Sequence, residues 1–144
     1  MTKLEELLEM WRKDAQIDRT QPNVELINIP QLHSKYLTIM SKHRLQSKEA
    51  EFKFNKYKKI KWEYYTGKLD DDELAKYGWS PFPFVLKSDI TIYLESDDDL
   101  SKHLAAKIMH DEIVDVCQSI LKELNNRAWE LKSFIDWEKF IQGI

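Results

Sequence analysis

Between Pro30 and Gly67 the chain runs without a single glycine or proline. Tight hairpin turns call for residues that reach positive φ, and multistranded sheets need such turns repeatedly. This span therefore reads as helix. The rest of the chain points the same way, with only three glycines and four prolines in 144 residues and 33% of residues charged. A glycine-poor, proline-poor, charge-rich chain is mostly helical. With 42% hydrophobic residues it can bury a core as one domain.

The elements follow in order. Thr2 and Glu5 stand in the spacing of a capping box, and Leu4, Leu7, Leu8 and Trp11 form one apolar stripe. A short first helix is expected to stop near Asp14. Pro30 fits the first turn of a long helix with Asn28 near its cap, running to about Thr66 and ended by Gly67. Asp70 to Asp72 cap one short helical turn before Gly78. The WSPFPF stretch alternates proline with aromatics and is expected to be extended. Phe84 to Ser96 is ambiguous: Ile90, Ile92 and Leu94 alternate as in a strand, while Ser88 and Asp89 would cap a helix. Helix or irregular structure is the preferred reading. From Ser96 or Asp97 a second long helix runs to about Gln142. Its apolar residues fill nearly half the wheel, with Trp129, Trp137 and Phe140 on the remainder. A single partner helix does not require so wide a face, and self-association accounts for it. The expected fold is all-α: two long helices, short N-terminal and connecting helices, and an extended proline/aromatic linker. Residues 1–144 form one helical domain, with the basic helix in 1–95 and an oligomerisation helix in 96–144.

Charge is unevenly distributed. The segment Lys42–Lys68 holds nine basic residues against three acids and carries +6, whereas the whole chain is −3, leaving −9 elsewhere. On the helical wheel Ala50, Phe54, Tyr57, Ile60 and Tyr64 cluster as a core face. Arg44, Lys48, Phe52, Lys59 and Trp62 share another face, with Lys56 and Lys58 at its margins. Cations beside flat side chains suit single-stranded nucleic acid, whose phosphates need charge and whose unstacked bases need platforms. The competing reading is a solvated lysine face with the aromatics buried. A structural helical oligomer, with lysines that only solubilise it, is the alternative function. A basic membrane-surface helix is a third, disfavoured by the −9 elsewhere.

Catalytic and metal chemistry find no visible apparatus. The acidic clusters Asp70–Glu73 and Asp97–Asp99 lack calcium-loop spacing and read as helix caps. The four histidines show no paired-ligand spacing. Cys117 is the single cysteine, which excludes an internal disulfide or a cysteine zinc site and suits a reducing cytoplasm. No phosphate loop or nucleophile elbow occurs. No enzyme activity, cofactor or metal is expected. No run of eighteen apolar residues occurs, so a secreted or membrane-spanning protein is not expected.

Three blocks carry a resemblance: KDAQIDRT with ELINIPQLHSKYLTI, then KKIKWEYYTGK, then LKELNNRAWELKSFIDWEKF. With similar length and block order, the chain resembles the UvsY family of recombination mediators of T-even-type bacteriophages. The resemblance implies a non-enzymatic protein that binds single-stranded DNA, contacts the phage recombinase and the phage single-strand-binding protein, and loads the first in place of the second. It implies a ring-like homo-oligomer, a heptamer, built through C-terminal helices in the cytoplasm of the infected host. The family's basic pair, a K-x-R/K step before a YY-S/T-G block, falls on Lys59 and Lys61. The expected DNA-binding set is Lys59, Lys61, Lys58, Lys56, Arg44, Lys48, Trp62, Tyr65 and Lys68. Tyr57 and Tyr64 are assigned to the core.

Overall fold

The structure is a computed structural model that describes residues 1–83 and 85–143. Phe84, part of both the expected extended stretch and the ambiguous one, lies outside the described residues. Among these, every regular element is helical.

Helix α1 spans Lys3–Asp14. Its capping box is closed: the Thr2 hydroxyl accepts from the Glu5 N–H at 3.1 Å, and the Glu5 carboxylate accepts from the Thr2 N–H at 3.0 Å. Helix α2 spans Pro22–Tyr65. It begins eight residues before the expected start, and Pro30 lies inside it. Two proline-compatible starts compete, and packing decides between them. Ile29 is buried, and Leu26 and Leu32 pack against the same core as Tyr36, so the apolar stripe extends upstream of Pro30. Pro30 itself is exposed, and its missing N–H leaves one carbonyl of the preceding turn without its helical donor. The C-terminus follows the sequence closely. Gly67 takes φ 72°; its N–H reaches the Tyr64 carbonyl at 3.1 Å and the Lys68 N–H reaches Glu63 at 2.8 Å. This pair of bonds is the Schellman arrangement.

Helix α3, Asp71–Tyr77, is capped by Asp70 and ended by Gly78 at φ 71°. Residues 79–83 are irregular. The ambiguous segment resolves as a 3-10 turn, Lys87–Asp89, followed by α4, Ile90–Glu95. The alternation there marks no sheet face: Ile90 is buried while Ile92 is 62% exposed. Helix α5, Asp98–Ile141, begins as expected at an aspartate cap, with the Leu100 N–H donating to the Asp97 carboxylate at 3.0 Å.

The chain packs as two compact units, and both long helices contribute to each. The first comprises Met1–Leu45 and the residues from Met109 onward. Its core gathers Leu7, Ile29, Tyr36, Met40, Ile113, Cys117, Ile120 and Leu124. Burial raises the Cys117 thiol above its ordinary value, so it packs as an apolar side chain and is not an activated nucleophile. The second unit, Gln46–Ile108, buries Ala50, Leu74, Ile90 and Leu100 beside a chain of ring contacts through Tyr57, Trp79, Tyr64, Phe82 and Tyr65.

One polar feature of the first unit was not visible as a spacing. His43, buried on α2, and His110 on α5 meet Nδ1 to Nδ1 at 2.8 Å. One ring must donate and the other accept, so the contact fails when both are protonated. Burial lowers the pKa of both; the Lys3 and Lys42 charges and His110 itself add to this at His43, and Lys3 adds to it at His110, against an opposing Asp111. A histidine depressed on folding contributes stability above its ordinary value of about 6.5 and loses it as pH falls through the folded value. The melting temperature is accordingly expected to fall by a few degrees between pH 7.5 and 5.5, above the range where the carboxylates titrate. A His43→Gln variant should flatten that slope. An equally steep slope in the variant would assign it to other groups.

Candidate nucleic-acid interface

The basic face of α2 is built by helical spacing. Within the second unit, Lys48, Phe52, Lys56, Lys58, Lys59 and Trp62 are all exposed. The core residues Ala50, Phe54, Tyr57, Ile60 and Tyr64 alternate with them and are buried or half-buried. Arg44 is exposed on the same helix in the first unit. Arg44, Lys56, Lys58 and Lys59 form no ion pair among the described residues. Lys48 reaches Glu51 one turn away at 3.3 Å, an exposed contact worth at most about 0.5 kcal/mol. Lys68, just past the helix, holds its Nζ 4.1 Å from the centre of the Trp62 ring.

Lys59 and Lys61, expected to act together, are placed differently. Lys59 is exposed, whereas Lys61 is 5% exposed. The Lys61 ammonium lies 3.1 Å from an Asp97 carboxylate oxygen and 3.0 Å from Asp99. Its Nζ also sits 4.0 Å from the centre of the Trp79 ring. Burial by itself would lower its pKa, but the bonds to Asp99 and Asp97 prevail and hold the ammonium above its ordinary value. At Asp97 burial would raise the carboxyl; the Tyr65 hydroxyl, the Leu100 N–H and Lys61 outweigh it and keep the group ionised. Lys61 thus ties the C-terminal end of α2 to the N-terminal end of α5. An ammonium already held by two carboxylates in a buried position would have to break both pairs to meet a phosphate.

Tyr65 departs from the expected exposed set as well. It is half-buried, its hydroxyl donates to Asp97, and its ring packs against Phe82 at 4.8 Å between centroids. Of the expected set, the members in this unit without a carboxylate partner are therefore Lys56, Lys58, Lys59 and Lys68, the last resting on the Trp62 ring, with Lys48 weakly engaged. The residues that the sequence reading missed are Asp97, Asp99 and Trp79, the partners of Lys61. A signal for the inward position was present: Lys61 stands four residues after Tyr57 and three before Tyr64, the spacing of the core face.

Residues 10–144 match the family described as "Recombination, repair and ssDNA binding protein UvsY". The chain belongs to the UvsY family. The recombination protein UvsY of Enterobacteria phage T4 is 27% identical over 141 residues, covering 98% of each chain. Crystal structures of the bacteriophage T4 recombination mediator protein UvsY superpose at similar identity. One lattice form gives a TM-score of 0.85 at 26% identity over 99% of both chains. Another gives 0.82 at 26% identity over 94% of this chain and 98% of that one. The all-α fold is that of the UvsY structures, and the basic face of α2 lies inside the matched region. No helix among the described residues is long and apolar enough to cross a membrane.

Proposed function

We propose that this UvsY-family chain is a recombination mediator that binds single-stranded DNA and promotes loading of the phage recombinase in place of the single-strand-binding protein, in the cytoplasm of the infected host. The observation that carries the reading is the exposed face of α2, where Lys56, Lys58 and Lys59 stand free of carboxylates beside Trp62. Phosphates meet Lys56, Lys58, Lys59, Lys48 and Lys68. Trp62 offers a ring to bases. Lys61 and Tyr65 serve the same face from beneath, as the post that holds α2 against α5.

A face of this size contacts few phosphates, and each adds only about 0.7 to the salt slope for a single strand. Repetition in a homo-oligomer, a ring of seven, raises the effective concentration of each face for the next stretch of strand. Support for assembly comes from α5, where Trp129 is 70%, Trp137 58% and Phe140 75% exposed. Aromatic surface of this extent, rimmed by charge, marks protein contact sites. A strand held along such an assembly is presented to the recombinase while the competing binding protein loses part of its footprint.

Sedimentation with and without a labelled single-stranded oligonucleotide, at two salt concentrations, tests the reading. The wild type is expected to sediment as an oligomer that carries the label at low salt and releases much of it at high salt. Lys59→Ala should leave the oligomer intact, bind more weakly and show a shallower salt dependence. A wild type that carries no label at either salt would leave a structural helical oligomer as the function.

A further inference from the structure

A cavity of about 460 Å³ opens at the end of the basic face, entirely within the second unit. Its walls come from two different parts of the chain. Trp62 and the turn at Thr66–Lys68 form one side; Phe82, Val85 and Ile90, from the linker and the start of α4, form the other. Two cations, Lys68 and Lys87, stand on it, and no carboxylate lines it among the described residues. The volume falls within the range of small-ligand sites. The linker rich in proline and aromatics therefore does more than connect α3 to α4: it supplies an apolar wall facing the exposed tryptophan.

We infer that this cavity takes one unstacked nucleobase of the bound strand, an assignment that rests on the single-stranded DNA reading above. A nucleobase presents two apolar faces and carries its own phosphate a few ångströms away. The cavity offers a flat indole and an apolar opposite wall, with ammonium groups at the rim. In the free protein the Lys68 ammonium covers the Trp62 ring at 4.1 Å from its centre. An arriving nucleotide exchanges partners on both sides: the base replaces the ammonium on the ring, and the freed ammonium meets the phosphate. The exchange leaves neither the cation nor the ring without a partner. An aliphatic or acidic peptide would satisfy only one of the two, which is why the occupant is a nucleotide. The cavity lies one turn beyond Lys58 and Lys59 on the same helix, so a strand following those cations reaches it without reversing direction.

The experiment compares an oligothymidylate with an abasic strand of equal length and charge, against the wild type, Trp62→Ala and Trp62→Phe. The wild type is expected to bind the thymidylate at least about ten-fold tighter than the abasic strand, in the range that a stacked base contributes. Trp62→Ala should bind both strands alike, near the wild type's affinity for the abasic one, with an unchanged salt slope. Trp62→Phe should recover most of the preference, which shows that the loss in the alanine variant is not misfolding. The inference is overturned if the wild type binds both strands alike, or if Trp62→Ala keeps the preference. Failure of the wild type to bind either strand would instead remove the single-stranded DNA reading itself.

Discussion

Lys61→Met is expected to destabilise the protein by about 3 kcal/mol or more, the cost of removing one partner from a buried ion pair. Methionine keeps the unbranched stem among the aromatic rings and deletes only the charge. What remains is Asp97, buried and ionised, with the Tyr65 hydroxyl and the Leu100 N–H still bonded to it but no cation. Asp99 suffers less, because its side chain is 44% exposed and can turn to water. Adding Asp97→Asn to Lys61→Met should recover much of the loss, since asparagine caps a helix about as well as aspartate and carries no charge to bury. Urea unfolding of the two variants and the wild type reads this directly. A Lys61→Met midpoint equal to that of the wild type would mean that the pair is energetically idle, and no recovery on adding Asp97→Asn would place the damage elsewhere.

The signs of the titrations sharpen the expectation. The depressed Asp97 contributes stability above the ordinary carboxylate range and loses it as pH falls through its folded value. Raised Lys61 contributes below the ordinary lysine range and loses it only as pH rises through its own folded value. Between these limits the pair contributes constantly. In Lys61→Met the orphaned Asp97 takes up a proton more readily, so the deficit should narrow in acid. Lys59→Ala separates cleanly from this variant: it leaves the unfolding midpoint within about 0.5 kcal/mol of the wild type, as an exposed substitution does.

Local signals carried most of the fold. The Thr2–Glu5 box, the Gly67 and Gly78 stops and the Asp97 cap depend on residues within one turn of each other, and the structure places each of them where that chemistry demands. What depended on distant partners was less legible. Pro22 and Pro30 are equally good first residues by local rules; only the core formed with α1 and α5 selects Pro22. The alternation at Ile90–Leu94 fits a strand until it is clear that no neighbouring strand exists among the described residues. The site behaved the same way. Exposure of Lys56, Lys58, Lys59 and Trp62 follows from the wheel alone. That Lys61 turns inward could be suspected from its spacing to Tyr57 and Tyr64, yet its partners lie 36 and 38 residues further along the chain. The His43–His110 contact spans a larger separation still and left no motif.

Arg127→Met should loosen α1 from the first unit, at a cost of about 2–4 kcal/mol from lost charge-assisted hydrogen bonds and the two carbonyls left behind. Arg127 on α5 is 5% exposed. Its two terminal guanidinium nitrogens donate to the Asp14 carbonyl at 3.1 Å and the Ala15 carbonyl at 3.0 Å. These belong to the last turn and cap of α1, where the helix dipole gathers negative charge and the final carbonyls lack helical donors. The same guanidinium lies 5.5 Å from the centre of the Trp11 ring. A second tie supports it: the Asp14 carboxylate accepts from Lys35 and from the Tyr36 hydroxyl, each at 2.7 Å. Burial would raise Asp14, but those two donors prevail and keep it below its ordinary value. Arg127→Lys is expected to restore less than half of the loss, because one ammonium cannot span two carbonyls as a planar fork does. Hydrogen exchange locates the effect: amides of Lys3–Asp14 should exchange faster in Arg127→Met, while those of α2 between Gln46 and Tyr65, in the other unit, keep their protection. Faster exchange throughout both units would show that Arg127 holds the whole molecule together and not the first helix alone.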